Sequence, residues 1–189
     1  MGQLSFFSAE ARTPGVADLA GLLCGPGQAM GFARGTAARV SVALRDEWRA
    51  APLRQVCAER GVTSEICMSE DGSRIVRTPF RTDLTGLAAR WLDGTTKVVP
   101  RDFTLDGAIL RVWALASGHW VESAYLLGLD PDAPGTHEPL KNALLASGLP
   151  CTLVDAPALR VTGRRRLARL AELVGRPPRG VAERTWPAA

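Results

Sequence analysis

The chain has 189 residues, 46% of them hydrophobic and 22% charged, and 23 Lys+Arg against 19 Asp+Glu give it a formal net charge of +4. That is room for one sizeable domain or two small fused halves, and no apolar run is long enough to span a bilayer. Four cysteines (Cys24, Cys57, Cys67, Cys151) without a C-x-x-C spacing, beside only His119 and His137, exclude a familiar zinc pattern and lead us to expect free buried thiols in a reducing cytoplasm.

Residues 1–15 read as a short arm ending near Pro14. The arm has no basic stretch leading into an apolar core, so no secretory leader is expected, and Phe6 breaks the myristoylation pattern. A helix is predicted from Val16 to Gly25, with Val16, Leu19, Leu22 and Leu23 at helical spacing. Ala20 and Gly21 lack bulk, so a second helix can approach there. Residues 30–45 form a hairpin turning at Arg34-Gly35-Thr36. Its return strand sends Val40, Val42 and Leu44 to one face and Arg39, Ser41, Ala43 and Arg45 to the other. A helix over 47–60 places Trp48, Leu53, Val56 and Cys57 inward, with Pro52 in its first turn or at a kink. A second hairpin runs through Thr63–Ser69 and Ser73–Thr78 about an Asp71-Gly72 turn. Residues 83–92 are an amphipathic helix, and D-G-T-T-K-V-V-P is a loop with a short extended piece.

The order then repeats. Residues 105–117 form a helix, 119–129 strand material, 137–147 a helix, and 150–162 two short strands split at Asp155-Ala156-Pro157. A last helix spans 164–174, and the Pro- and Arg-rich residues 176–189 read as a loose tail. Trp91 and Trp113 sit on apolar helical stripes, and Phe32 and Tyr125 are the aromatics expected to be exposed on strands. Gly27 and Gly118, 91 positions apart, mark the repeat. The predicted division is 1–15, 16–102, 103–178 and a tail at 179–189.

L-A-G-L-L-C-G-P-G (Leu19–Gly27) resembles the signature helix of the LAGLIDADG homing endonucleases, and L-R-V-W-A-L-A-S-G (Leu110–Gly118) is similar to a second copy. R-I-V-R-T-P-F (Arg74–Phe80) resembles the family's closing strand, and G-T-T-K-V-V-P (Gly94–Pro100) its G-x-K-x-V-P segment. T-L-D-G-A-I-L-R-V-W (Thr104–Trp113) resembles the subgroup with L-A-x-W-Y-M-D-D-G. The likeness spans roughly residues 16–178. It implies an α+β fold of tandem αββαββα repeats, whose two curved antiparallel sheets form a DNA-binding saddle around a central helix pair. It also implies a monomer with an internal pseudo-two-fold axis and double-stranded DNA as partner.

In that family each signature helix ends in an acid, and the two acids hold the divalent metals that activate water. Here Pro26 and Ser117 stand at those positions. Magnesium needs hard anionic oxygen ligands, which proline lacks and a neutral hydroxyl supplies poorly, while Cys24 is a soft ligand. Asp18 and Glu122 are the nearest acids in sequence, and neither falls at a matching helix end. No catalytic residue, metal or cofactor is therefore expected, and Mg²⁺ enters only if displaced acids keep the endonuclease active. Lys97 matches the family's basic residue near the scissile phosphate, and is read either as a retained phosphate contact or as a solvated loop lysine.

The expected DNA-binding residues are Arg34, Arg39, Ser41 and Arg45 in the first hairpin, and Arg74, Arg77 and Arg81 in or beside the second. Arg160, Thr162 and the run Arg164, Arg165 and Arg166 complete the set. Lys97 and Lys141 are the two lysines among the basic residues. Arginine suits phosphate forks and guanine edges, although a GC-rich genome favours it as well, so placement decides. The function expected is a catalytically silent double-stranded DNA-binding protein, a regulator or accessory factor. The alternatives are an active LAGLIDADG-type endonuclease, an RNA-binding maturase-like protein, and a protein–protein module on which the arginines are incidental.

Overall fold

A computed structural model describes residues 6–188 of the chain. The first half runs α1 (Ala20–Cys24), β1 (Gln28–Phe32), β2 (Ala37–Leu44), α2 (Ala50–Ala58), β3 (Glu65–Met68), β4 (Arg74–Arg77) and α3 (Thr85–Trp91). A two-stranded ribbon follows, β5 (Leu92–Asp93) and β6 (Thr96–Lys97). The second half runs α4 (Gly107–Ser117), β7 (Gly118–Val121), β8 (Ala124–Gly128), α5 (His137–Ala146), β9 (Thr152–Val154), β10 (Ala158–Val161) and α6 (Arg164–Val174). The fold class is α+β, as expected: two antiparallel four-stranded sheets have the like orders β1-β2-β4-β3 and β7-β8-β10-β9.

The predicted first helix is shorter and more complex than its apolar spacing suggests. It opens as a 3-10 turn over Val16–Leu19, which the Asp18 carboxylate ties down by accepting from the Gly15 amide at 3.0 Å. Arg12 and Arg60 close on the same carboxylate at 2.7 and 3.0 Å. The helix stops at Cys24 because Pro26 has no amide to donate, and Gly27 N turns back to Leu22 O at 2.9 Å. The Asp106 carboxylate caps α4 by accepting from Ile109 N at 2.9 Å.

α1 packs on α4, and Gly21 makes that possible. A Cβ at position 21 would overlap the Ile109 carbonyl oxygen and lie 2.7 Å from Val112 Cβ. Around this contact the core gathers Leu19, Leu23, Leu110, Trp113, Leu115, Tyr125 and Leu127. Trp113 satisfies its indole by donating to Gly128 O at 2.8 Å.

Each sheet buries one face and leaves the other open. In β2 the burial alternates as predicted, with Ala38, Val40, Val42 and Leu44 inside. The repeat is visible in the pairing. The row Gln28–Ser41–Arg77–Glu65 crosses the first sheet, and His119–Leu126–Arg160–Thr152 crosses the second in the same strand order.

Three expectations are corrected. Trp48 is 37% exposed rather than core, because it precedes α2 in a 3-10 turn and lies against the Arg49 guanidinium. Tyr125 is fully buried, since it pairs with Trp120 on the inner face of β8. The tail is not loose. Trp186 is 2% exposed, donates to Gly175 O at 2.8 Å, and accepts from Trp120 Nε1 at 3.2 Å. One large indole with its donor satisfied outweighs the Pro and Arg content around it. The arm's residues 1–5 lie outside the described residues; Phe7 and Ala9 pack their backbone against Gly107 at the start of α4.

Candidate nucleic-acid interface

The C-terminal ends of α1 and α4 meet between the two open faces, and the residues at both ends build the junction. At the end of α4, Arg49 is buried to 2% exposure. Its guanidinium donates to Leu115 O at 2.8 Å and Gly118 O at 2.6 Å, with a longer bond to Ala114 O, and Asp46 accepts from its Nε at 3.0 Å. Ala114 O already accepts from the Gly118 amide; Leu115 O and Gly118 O take their donors from Arg49 at a helix end, where the macrodipole is negative. At the end of α1, Lys97 does the same work. Its ammonium donates to Gly25 O and Gly27 O, each at 2.7 Å, and to Asp130 Oδ2 at 3.0 Å, which uses all three of its protons. Gln28 Nε2 also donates to Asp130, at 2.5 Å. Desolvation pulls the Lys97 pKa down, against the opposing pull of Asp130. Lys97 is 8% exposed, so it is not a solvated loop lysine.

Between these ends lies a cavity of 170 Å³ lined by Pro26, Arg45, Arg49, Ser117 and His119 among others. Ser117 Oγ reaches Gly128 O at 3.3 Å. Arg45 Nη1 donates to His119 Nε2 at 3.1 Å, which makes that nitrogen the acceptor and puts the imidazole proton on Nδ1, facing Ser117 O at 3.4 Å. Burial lowers the His119 pKa, as do Arg45 and Arg49. No Asp or Glu side chain lines the cavity. The nearby acids are committed elsewhere: Asp46 to Arg49, Asp130 to Lys97, and Asp18 to Arg12 and Arg60. Among the described residues, no three His, Cys, Asp or Glu side chains gather as metal ligands. A pair of hard divalent cations needs anionic oxygens, so this donor set does not fit the magnesium chemistry implied by the family resemblance. Cys24 is fully buried, and desolvation raises its pKa.

The predicted arginines divide into three groups. Arg39, Ser41 and Arg45 lie on the open side of the first sheet, as their alternation requires. Arg39 sits 4.7 Å from the Phe80 ring centroid. Arg77 shares that face but is paired with Glu65 at 2.6 Å, and Arg81 is paired with Asp83 at 2.6 Å. Arg74 is corrected. Three residues from Arg77 on one strand, it points to the opposite, helix-covered side and pairs with Glu47. Arg34 is exposed at the hairpin tip in the left-handed conformation (φ 58°). In the second sheet Arg160 is exposed between buried Leu159 and Val161, and Thr162 follows half-buried. Arg164, Arg165 and Arg166 are exposed in the first turn of α6. None of Arg34, Arg160 or these three forms an ion pair among the described residues.

Sequence reasoning missed His119, Arg49 and Asp130. His119 carried a usable signal, since it directly follows Gly118 at the end of the second signature-like stretch. The other two act across 65 and 33 positions in the chain, and no local pattern announces that.

No protein-family model matches the chain, and no curated protein matches it in sequence. Solved structures match it in shape. The homing endonuclease I-WcaI bound to its DNA recognition sequence aligns with a TM-score of 0.59 at 14% identity, over 92% of this chain and 89% of that one. Full-length DUF199/WhiA from Thermatoga maritima aligns with a TM-score of 0.56 at 12% identity, over 93% of this chain and 57% of that longer one. The N-terminal LAGLIDADG domain of DUF199/WhiA gives 0.52 at 12% identity, over 84% and 81%. Identities this low establish architecture alone. Two like-ordered antiparallel sheets around a tightly packed helix pair give this chain the LAGLIDADG fold.

Proposed function

We propose that this chain grips double-stranded DNA along the open faces of its two sheets and does not cut it, acting as a regulator or accessory factor. The two units are residues 16–102 and 103–178, and the internal pseudo-two-fold axis makes a monomer sufficient. One observation carries the reading. The surface between the open faces, where a metal-dependent nuclease needs carboxylates, is lined by Arg45, Arg49 and His119 and by no acid. Strands in a major groove read bases through arginine–guanine forks and short hydroxyls. Arg39, Ser41, Arg77, Arg160 and Thr162 supply both kinds of group, with Arg34, Arg45, Arg81 and Arg164–Arg166 on phosphates. The shape shared with DNA-bound I-WcaI supports this use of the faces.

The test is a mobility shift against a random duplex pool, titrated with salt and challenged with structured RNA, beside a supercoiled plasmid incubated with Mg²⁺. Duplex is expected to be retained, with affinity falling steeply as salt rises, and the plasmid is expected to stay supercoiled. Preference for the RNA, or binding that is absent or indifferent to salt, overturns the DNA reading. Linear product overturns the silence.

A further inference from the structure

We propose that the cavity between the two helix ends is a phosphate site, formed by Arg45, His119 and Ser117, that engages an anion directly through side-chain groups. The inference rests on the DNA-binding reading and names a contact within it. Space is the first argument. A volume of 170 Å³ holds about five water-sized groups, which suits a phosphorus atom and its four oxygens. Polarity is the second. The residues lining the cavity include two arginines, a histidine and a serine, and no Asp or Glu is among them. Arg49 is locked onto the α4 carbonyls and serves as fixed positive charge. Arg45 is different: it is exposed, has no acidic partner among the described residues, and rests on a neutral imidazole nitrogen. An entering phosphate offers it a far better acceptor.

Position is the third argument. Ala43 of β2 and Ala158 of β10 both line the cavity, so it opens between the two sheet faces and reaches a duplex lying across them. His119 completes the device. Burial, with Arg45 and Arg49, lowers its pKa, opposed by the Ser117 carbonyl and Asp46. An anion in the cavity offsets the two arginines and lets the imidazole take up a proton at Nε2, once Arg45 turns to the phosphate. Filling the site is therefore coupled to proton uptake, and affinity rises as pH falls through the His119 titration range.

The test follows the His119 ring resonances of the full chain by NMR across pH, alone, with inorganic phosphate, and with duplex. Duplex affinity and its salt dependence are measured in parallel for Arg45→Met and His119→Gln. Arg45 is exposed, and thermal melts are recorded alongside to check that both variants fold. Phosphate and duplex are each expected to raise the His119 titration midpoint. Arg45→Met is expected to weaken duplex binding about tenfold and to lower the salt slope by about one ion. His119→Gln is expected to abolish the pH dependence of binding. Two results overturn the site while leaving DNA binding intact: a His119 midpoint unmoved by duplex, or variants that bind duplex as wild type does. A midpoint moved by inorganic phosphate in a chain that binds no duplex keeps the site, assigns it to free phosphate, and rejects the DNA reading.

Discussion

The ends of α1 and α4 meet one electrostatic problem with two different cations. Each end turns carbonyls inward, and each receives a buried positive side chain with its own carboxylate. Arg49 uses a rigid fork to bind carbonyls from two positions of the last turn and from Gly118 beyond it, and its Asp46 partner is 38% exposed at the side chain. Lys97 spends three single protons, and Asp130 is 3% exposed at the side chain. The two caps also cross the halves. Arg49 reaches from the first half to α4, and Asp130 reaches from the second half to hold the lysine on α1. A junction that opposes like helix dipoles is thus stabilised by internal cations, and the two halves depend on each other for it.

The largest effect is expected where solvent cannot help. Lys97→Met leaves Asp130 buried and unpaired, and urea denaturation should show a loss of about 3–5 kcal/mol. Equal stability would mean that the α1 end needs no cation. Arg49→Met should cost less, about 2–3 kcal/mol, because Asp46 can turn to water while the carbonyls cannot. Arg49→Lys should recover only part of this, since an ammonium cannot span the fork. If the two losses come out reversed, exposure of the counter-ion is not what separates the caps. Gly21→Ala tests whether the helix ends are held at a fixed spacing: overpacking against Ile109 should cost about 1–3 kcal/mol by the same assay. Gly31→Ala, with nothing within 4 Å, is the neutral control.

The smallest effects concern the equivalent arginines of the two sheets. Arg160→Ala should weaken duplex binding by about 1 kcal/mol or more in a mobility shift. Arg77→Ala should cost less, because Glu65 already engages Arg77 at 2.6 Å, and Glu65→Gln should tighten binding. Equal losses at Arg77 and Arg160 would show that the sheet-one ion pair opens at no cost.

Much of the architecture was legible because burial imposes periodicity. The alternation Val40, Val42, Leu44 against Arg39, Ser41, Arg45 placed both faces of β2, and the small residues at Ala20 and Gly21 announced a close helix contact. The helical stripes of Trp91 and Trp113 were equally readable, and both rings are buried. Three kinds of information escaped. Face assignment failed at Arg74, where two arginines three apart on one strand cannot share a side. The Trp186 contacts failed because a tail has no period to read, only a large ring that finds a slot. The site itself escaped most fully. Pro26 and Ser117 marked the two helix ends and Lys97 was singled out near them, but Arg49 and Asp130 are brought to those ends by tertiary folding from far away in sequence.

The glycine at position 21 carries a mechanical consequence. With no room for one more methyl against the Ile109 carbonyl, the helix pair behaves as a hard stop, and the two strand platforms ride on it at a set separation. Any ligand spanning both platforms must match that gauge, because the protein has no slack at its centre with which to adjust.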